Sequence, residues 1–253
     1  MTQSVNYDLV APAYDKRYER NRFDGVEAAL RRFAGESVCV DVAEVGCGTG
    51  HRLAQLCGRV RTVAGLDLSP EMLRRARTAA PCALLVRGRA EQLPWATGAF
   101  DRLVCINAMH HFDDALAFMR EAWRVLRPGG ALLTIGLDPH TRLDKWWIYD
   151  YFPGALTADR ARYMSTPVIR ERLEAAGFTG PTTEVAQHVP AEVPFAVATE
   201  RGLIDRRSTS QLMVISRAEY DDGLQRLEAE QPTLKADLRL YATVGWMPST
   251  SRE

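Results

Sequence analysis

Asp41-Val-Ala-Glu-Val-Gly-Cys-Gly-Thr-Gly50 is the stretch that decides how the chain folds. The apolar run Val38 to Val45 reads as a buried strand, and it stops at Gly46, Gly48 and Gly50. His51 to Cys57 then reads as a helix with Leu53 and Leu56 on one face. Strand, glycine turn and helix bring bare backbone close to a ligand, because glycine has no side chain and tolerates unusual φ/ψ. A helix N-terminus adds unsatisfied N–H groups and the positive end of a dipole for something anionic. Asp67 ends the next apolar run, Thr62 to Leu66. It lies about 20 residues past Gly46, where an acidic side chain can hold ribose hydroxyls.

This loop differs from a nicotinamide-binding one. His51 stands where that fingerprint wants a glycine. Glu44, two places before the first glycine, would repel a pyrophosphate and attract an amino-acid ammonium. The ligand that fits is a nucleoside joined to an amino acid.

Further stretches follow in order: Tyr7-Asp-Leu-Val-Ala-Pro-Ala-Tyr-Asp15, Gly88-Arg-Ala-Glu-Gln-Leu-Pro-Trp95, Asn107-Ala-Met-His-His-Phe112 and Leu126-Arg-Pro-Gly-Gly130. With the glycine loop, they make the chain resemble the class I S-adenosylmethionine-dependent methyltransferases from about Tyr7 to Leu137. Within these it is similar to the ubiquinone-biosynthesis-like small-molecule group. The resemblance implies an α/β fold: a doubly wound, seven-stranded, mostly parallel sheet of order 3-2-1-4-5-7-6, the seventh strand antiparallel, with helical lid insertions. It implies S-adenosylmethionine as cofactor and S-adenosylhomocysteine as product. Glu44, Gly46, Cys47, Gly48 and Gly50 would hold the methionine end, with Tyr14 closing over it and Asn107 orienting the amino group. Asp67, Leu68 and Met72 would lie at the ribose side, and Arg89, Ala90 and Glu91 at the adenine. Relatives usually carry aspartate where Arg89 stands. Arginine has only donors and cannot accept from the adenine amino group. Arg89 is expected to stack on the base instead, with Glu91 or the Ala90 backbone reading its edge.

Residues 1–34 read as an N-terminal cap and 35–137 as the cofactor-binding core of a single domain. Ser69-Pro70 starts a helix with Met72, Leu73 and Ala76 on its apolar face. Asp113 to Leu126 is a helix with Leu116, Met119, Trp123 and Leu126 at helical spacing, and Ala131 to Leu137 is strand five. Residues 138–165 interrupt the strand–helix alternation and hold the densest aromatic run, Trp146-Trp-Ile-Tyr-Asp-Tyr-Phe-Pro153. Trp146, Trp147, Tyr149, Tyr151 and Phe152 are the candidate lining of an apolar acceptor pocket; an ordinary lid core is the plainer reading. Thr182 to His188 is a strand, and 189–232 a second, mostly helical insertion with a capping box at Ser216-Arg-Ala-Glu219. Ala236 to Trp246 closes the sheet.

The chain has 253 residues, with 32 basic and 32 acidic side chains and a formal net charge of +0. That balance argues against a nucleic-acid partner or an anionic membrane surface. No apolar run approaches a membrane span, and the N-terminus has no secretory pattern, so a cytoplasmic protein is expected. The five cysteines, Cys39, Cys47, Cys57, Cys82 and Cys105, are scattered without a Cys-x-x-Cys pair. They read as small buried residues, neither disulfides nor metal ligands.

Methyl transfer from a sulfonium is an in-line displacement, so the protein mainly aligns the reacting atoms and needs no metal. A base matters only where the acceptor must lose a proton. His110 and His111 are the candidates, since histidine titrates near working pH; shaping the loop is the plainer role. The expected function is methyl transfer to a small organic molecule at O, N or C. The alternatives are a nicotinamide-dependent oxidoreductase and a non-methylating S-adenosylmethionine-binding protein or cyclase.

Overall fold

Strand β1 covers Asp41–Val45 and begins later than the apolar run suggests, because Val38 and Cys39 lie in an exposed turn before it. The computed structural model describes residues 23–35, 38–141 and 143–249. Tyr14 and most of the expected N-terminal cap therefore lie outside the described residues. All five residues of β1 are buried, as in a parallel strand covered on both faces. β1 pairs in parallel with β2 (Thr62–Asp67) on one side and β4 (Phe100–Ile106) on the other. β3 (Leu84–Arg87) adds to β2, and β5 (Leu126–Gly136) adds to β4. β5 starts at Leu126, and Arg127-Pro-Gly-Gly130 is an irregularity within it: Gly129 has φ +76°, and the pairing with β4 moves from Phe100↔Leu126 to Arg102↔Ala131 with a shift of register.

The last strand, β8 (Thr233–Trp246), is antiparallel to β5, from Ala131↔Trp246 to Gly136↔Tyr241. β7 (Thr179–Pro194) pairs with β8. Counting these two as the sixth and seventh strands gives the expected order 3-2-1-4-5-7-6. β7 is longer than the expected Thr182–His188 and takes the first residues assigned to the second insertion. A two-residue strand, β6 (Lys145–Trp146), pairs with Asp237 and Ala236 of β8.

The ten helices of the described residues are α1 (Asp24–Ala34), α2 (His51–Leu56), α3 (Pro70–Ala79), α4 (Ala115–Val125), α5 (Trp147–Tyr151), α6 (Pro153–Arg162), α7 (Thr166–Ala175), α8 (Phe195–Glu200), α9 (Ser210–Met213) and α10 (Arg217–Glu230). Local chemistry sets their ends. The Ser69 hydroxyl accepts from Met72 N at 3.1 Å, with Pro70 in the first turn of α3. The Asp114 carboxylate accepts from Leu116 N and Ala117 N at 2.9 and 3.0 Å and starts α4. The buried face of α4 is Phe118, Met119, Ala122 and Val125. Trp123 is 37% exposed, its indole lying against Gly177. The capping box of α10 is half formed. Ser216 Oγ accepts from Glu219 N at 3.1 Å, while the Glu219 carboxylate turns to Gly154 N at 2.6 Å.

The cysteines depart from expectation. Cys57 and Cys82 form a disulfide with Cα atoms 6.0 Å apart, and Cys39 is exposed; only Cys47 and Cys105 are buried thiols. Sequence spacing hid the pair, because β2 and α3 between them carry the chain out and back.

The described residues divide into two compact units. One comprises 23–136, 166–187 and 240–249, and it contains β1–β5 and α1–α4. The other comprises 137–165 and 188–239 and has its own core of Trp147, Ile148, Phe152, Leu212 and Leu227. Strands β7 and β8 contribute residues to both.

Candidate functional site

The glycine loop is held open by backbone conformations that side chains rarely adopt. Gly46, Gly48 and Gly50 have φ of +78°, +53° and +79°. A Cβ at Gly46 would fall 2.3 Å from Ala108 Cβ, and one at Gly50 would fall 2.9 Å from Ala76 Cα. So the tip of β1, helix α3 and the turn after β4 meet at distances only glycine permits. The loop's first N–H groups are engaged within the fold. Gly46 N and Cys47 N donate to Leu66 O at 2.8 and 3.0 Å, and Gly48 N donates to Asp67 Oδ2 at 2.8 Å. Asp67 Oδ1 accepts from Ser69 N at 2.9 Å. Asp67 thus ties the loop to the start of α3.

Two buried acids on β1 show opposite electrostatics. Asp41 is gripped by Arg61, with Nε to Oδ1 at 2.8 Å, and by Arg127 at 2.9 Å. The Arg61 hydrogen bonds hold its carboxyl well below the usual range. Glu44, 2% exposed, has no such clamp, and its Oε2 lacks a hydrogen-bond partner among the described residues. Burial pushes its carboxyl up to about 8; Arg52 pulls it down and Asp67 pushes it further up. A buried polar atom without a partner is rare and calls for an explanation. Beside a glycine loop, a ligand donor supplies one.

The other residues expected at the cofactor fall in the same unit with unequal exposure. Leu68 is 55% exposed and gives an open apolar surface next to Asp67, whereas Met72 is 2% exposed and packs in the core. Cys47 is buried, and burial pushes its thiol well above the ordinary value, so it is an inert wall. Arg89 pairs with Asp113 and lies 3.4 Å from Glu91 Oε2. Glu91 Oε1 accepts from Asp113 N at 2.8 Å, and Ala90 is buried. The guanidinium expected to stack on a base is thus held by carboxylates from both sides. Asn107 has φ +52°, one of two non-glycine residues with positive φ among the described residues, and its N donates to Ile135 O at 2.7 Å. Asparagine tolerates this region better than most residues, and such conformations gather at functional sites. His110 and His111 share one 3₁₀ turn with ring centroids 3.9 Å apart, both half-buried.

The aromatic run does not form one lining. Trp147 and Phe152 pack in the core of the unit formed by 137–165 and 188–239, as the plainer reading of a lid core expects. Tyr151 bonds through its hydroxyl to Glu230. Trp146 and Tyr149 do line a cavity of about 240 Å³ in the 137–165 and 188–239 unit. Trp146 ends strand β6, Tyr149 lies in α5, and Phe152 follows that helix, so the run changes conformation within a few residues and its rings divide between cavity and core. Sequence reasoning missed Leu156, Arg160 and Leu238, which also line this cavity. Helical period would have flagged Leu156 and Arg160; nothing local marks Leu238. Arg52, the buried cation acting on Glu44, was also missed.

Among the described residues there is no group of three or more His, Cys, Asp or Glu that could hold a metal, and no helix is long and apolar enough to cross a membrane. Residues 43–134 match the family described as a methyltransferase domain. An uncharacterized methyltransferase of Synechocystis is 32% identical over 140 residues, covering 54% of this chain and 66% of that protein. A phthiotriol/phenolphthiotriol dimycocerosates methyltransferase of Mycobacterium leprae is 31% identical over 159 residues, covering 61% of this chain and 58% of that protein. The chain thus spans less than two thirds of the length of either relative. Among solved structures, the [4+2]-cyclase SpnF superposes with a TM-score of 0.62 at 18% identity, covering 96% of this chain and 94% of that one. At that identity the likeness concerns the fold alone.

Proposed function

We propose that this chain, which belongs to the class I S-adenosylmethionine-dependent methyltransferase family, transfers a methyl group from S-adenosylmethionine to a small organic acceptor at O, N or C. The observation that carries the reading is Glu44, a buried acid with an unpartnered oxygen beside the glycine loop. The residues present fit the cofactor. An amino-acid ammonium satisfies Glu44, the Asp67 carboxylate is the acceptor for ribose hydroxyls, and Leu68 offers an apolar face to the adenine. Arg89, held by Asp113 and Glu91, fixes the two loops at the adenine end, and the Ala90 backbone reads the base edge. When bound, S-adenosylmethionine supplies a methyl group already activated on a sulfonium. Glu44 and Asn107 orient the amino-acid end. An imidazole nitrogen of His110 or His111 takes the acceptor's proton where one must leave. The balanced charge supports a small-molecule acceptor rather than a nucleic acid.

Incubation with methyl-labelled cofactor and a metabolite extract tests the reading. Label in a small-molecule product is expected. Tight binding without transfer would point to a non-methylating binder or cyclase, a reading favoured only by the departure at Arg89. Protection from heat by S-adenosylhomocysteine but not by NADH separates both from a nicotinamide-dependent oxidoreductase.

A further inference from the structure

The unit formed by residues 137–165 and 188–239 encloses the cavity of about 240 Å³. We propose that this cavity binds a monocyclic aromatic carboxylate, its ring against Trp146 and Tyr149 and its carboxylate on Arg160 and Lys145. The walls argue for the ring. Leu137, Leu156 and Leu238 line the cavity with Trp146 and Tyr149, whose rings meet edge to face at 5.4 Å. Tyr149 donates its hydroxyl to Asp159 Oδ2 at 2.7 Å, so it presents a ring rather than a polar group. An apolar cavity of roughly 150 Å³ takes a benzene molecule, so the larger volume here suits one ring with small substituents.

The charges argue for the carboxylate. The Asp144 side chain, 5% exposed, is paired with Arg239 at 3.2 Å, and the two charges cancel. Arg160 gives its Nε to Pro139 O at 3.2 Å and has no carboxylate partner among the described residues. Lys145 forms no salt bridge among the described residues; Asp237 acts on it only at Coulombic range. Asp150 is the remaining charged group on the wall and is exposed. Two uncommitted cations against one exposed carboxylate favour an organic anion. A guanidinium fork matches a carboxylate in two parallel hydrogen bonds. A ligand ammonium would face like charges at the same place.

The proposal concerns this unit by itself and stands apart from the methyl-transfer reading. Calorimetric titration of the whole protein with para-hydroxybenzoate, para-cresol and tyramine tests it, because these share a ring and differ in charge. Para-hydroxybenzoate should bind about tenfold tighter than para-cresol, as expected for one charge-assisted hydrogen bond, and tyramine weaker still. Arg160→Gln should remove that preference and leave S-adenosylhomocysteine binding unchanged, while Trp146→Ala should weaken all three probes. Equal affinities, a preference for tyramine, no binding of any probe, or indifference to Arg160→Gln would each overturn the site. Loss of S-adenosylhomocysteine binding in the unmodified protein overturns the methyl-transfer reading and leaves the carboxylate result standing.

Discussion

Glu44 and Asp41 sit on the same buried strand and make opposite demands on pH. Because the Glu44 carboxyl is pushed up to about 8 from an ordinary 4.5, the folded chain holds a proton there that the unfolded chain has released. Stability from this group is full below about pH 4.5 and is lost as pH rises toward 8, by several kcal/mol in all. Urea midpoints of the ligand-free protein should therefore fall across that window, and Glu44→Gln should flatten the fall; parallel curves for the two proteins would refute the assignment. Asp41 runs the other way. Its carboxyl is held down by Arg61, so its contribution is present above the ordinary 3.8 and is lost in acid. Gly46 adds a steric prediction. With φ +78° and Ala108 Cβ 2.3 Å from any added Cβ, Gly46→Ala should lose about 2 kcal/mol or more in urea unfolding. An unchanged midpoint would mean that the turn relaxes.

At the scale of elements, the Cys57–Cys82 disulfide closes a loop containing β2, Asp67 and α3. A loop of that length stabilises by about 3 kcal/mol. Cys57→Ser should lower the melting temperature of the oxidised protein and leave that of the reduced protein unchanged; equal melting of all four samples would show that the bond does not form. The short helix α5 makes a second prediction. Trp147→Ala removes a core side chain and should cost about 3–5 kcal/mol of stability. Trp146→Ala, at a ring packed on the edge of that core, should cost less stability than Trp147→Ala and weaken acceptor binding more than cofactor binding, as read by paired titrations. The sequence shows Glu44 through its place two residues before the first glycine, although Asp41 is a second acid in the same run. It shows β1, α3 and α4 through their caps and periods. It does not show which aromatics of residues 146–152 turn inward, because the run passes from strand β6 through the short helix α5 and out again, and an apolar count ignores those changes of direction. It cannot pair Cys57 with Cys82, because closure depends on how β2 and α3 return the chain.

At the scale of the molecule, the fold places a strained loop, a buried acid and Asp67 at the carboxyl ends of parallel strands, where open α/β sheets bind ligands. The strand order was readable only through the family resemblance that the ordered motifs carry. The cavity of the unit of residues 137–165 and 188–239 was not, because it draws its walls from segments far apart in sequence. The central claim is that Glu44 and the glycine loop grip the amino-acid end of an adenosyl ligand. Calorimetric titration with S-adenosylhomocysteine near pH 7, in two buffers of different ionisation enthalpy, tests it directly. The ligand ammonium should draw the proton off Glu44, giving saturable binding with proton release in the unmodified protein. Glu44→Gln should bind about tenfold or more weakly and release no proton. No heat from the unmodified protein, or equal affinity and proton release in both, would contradict the account.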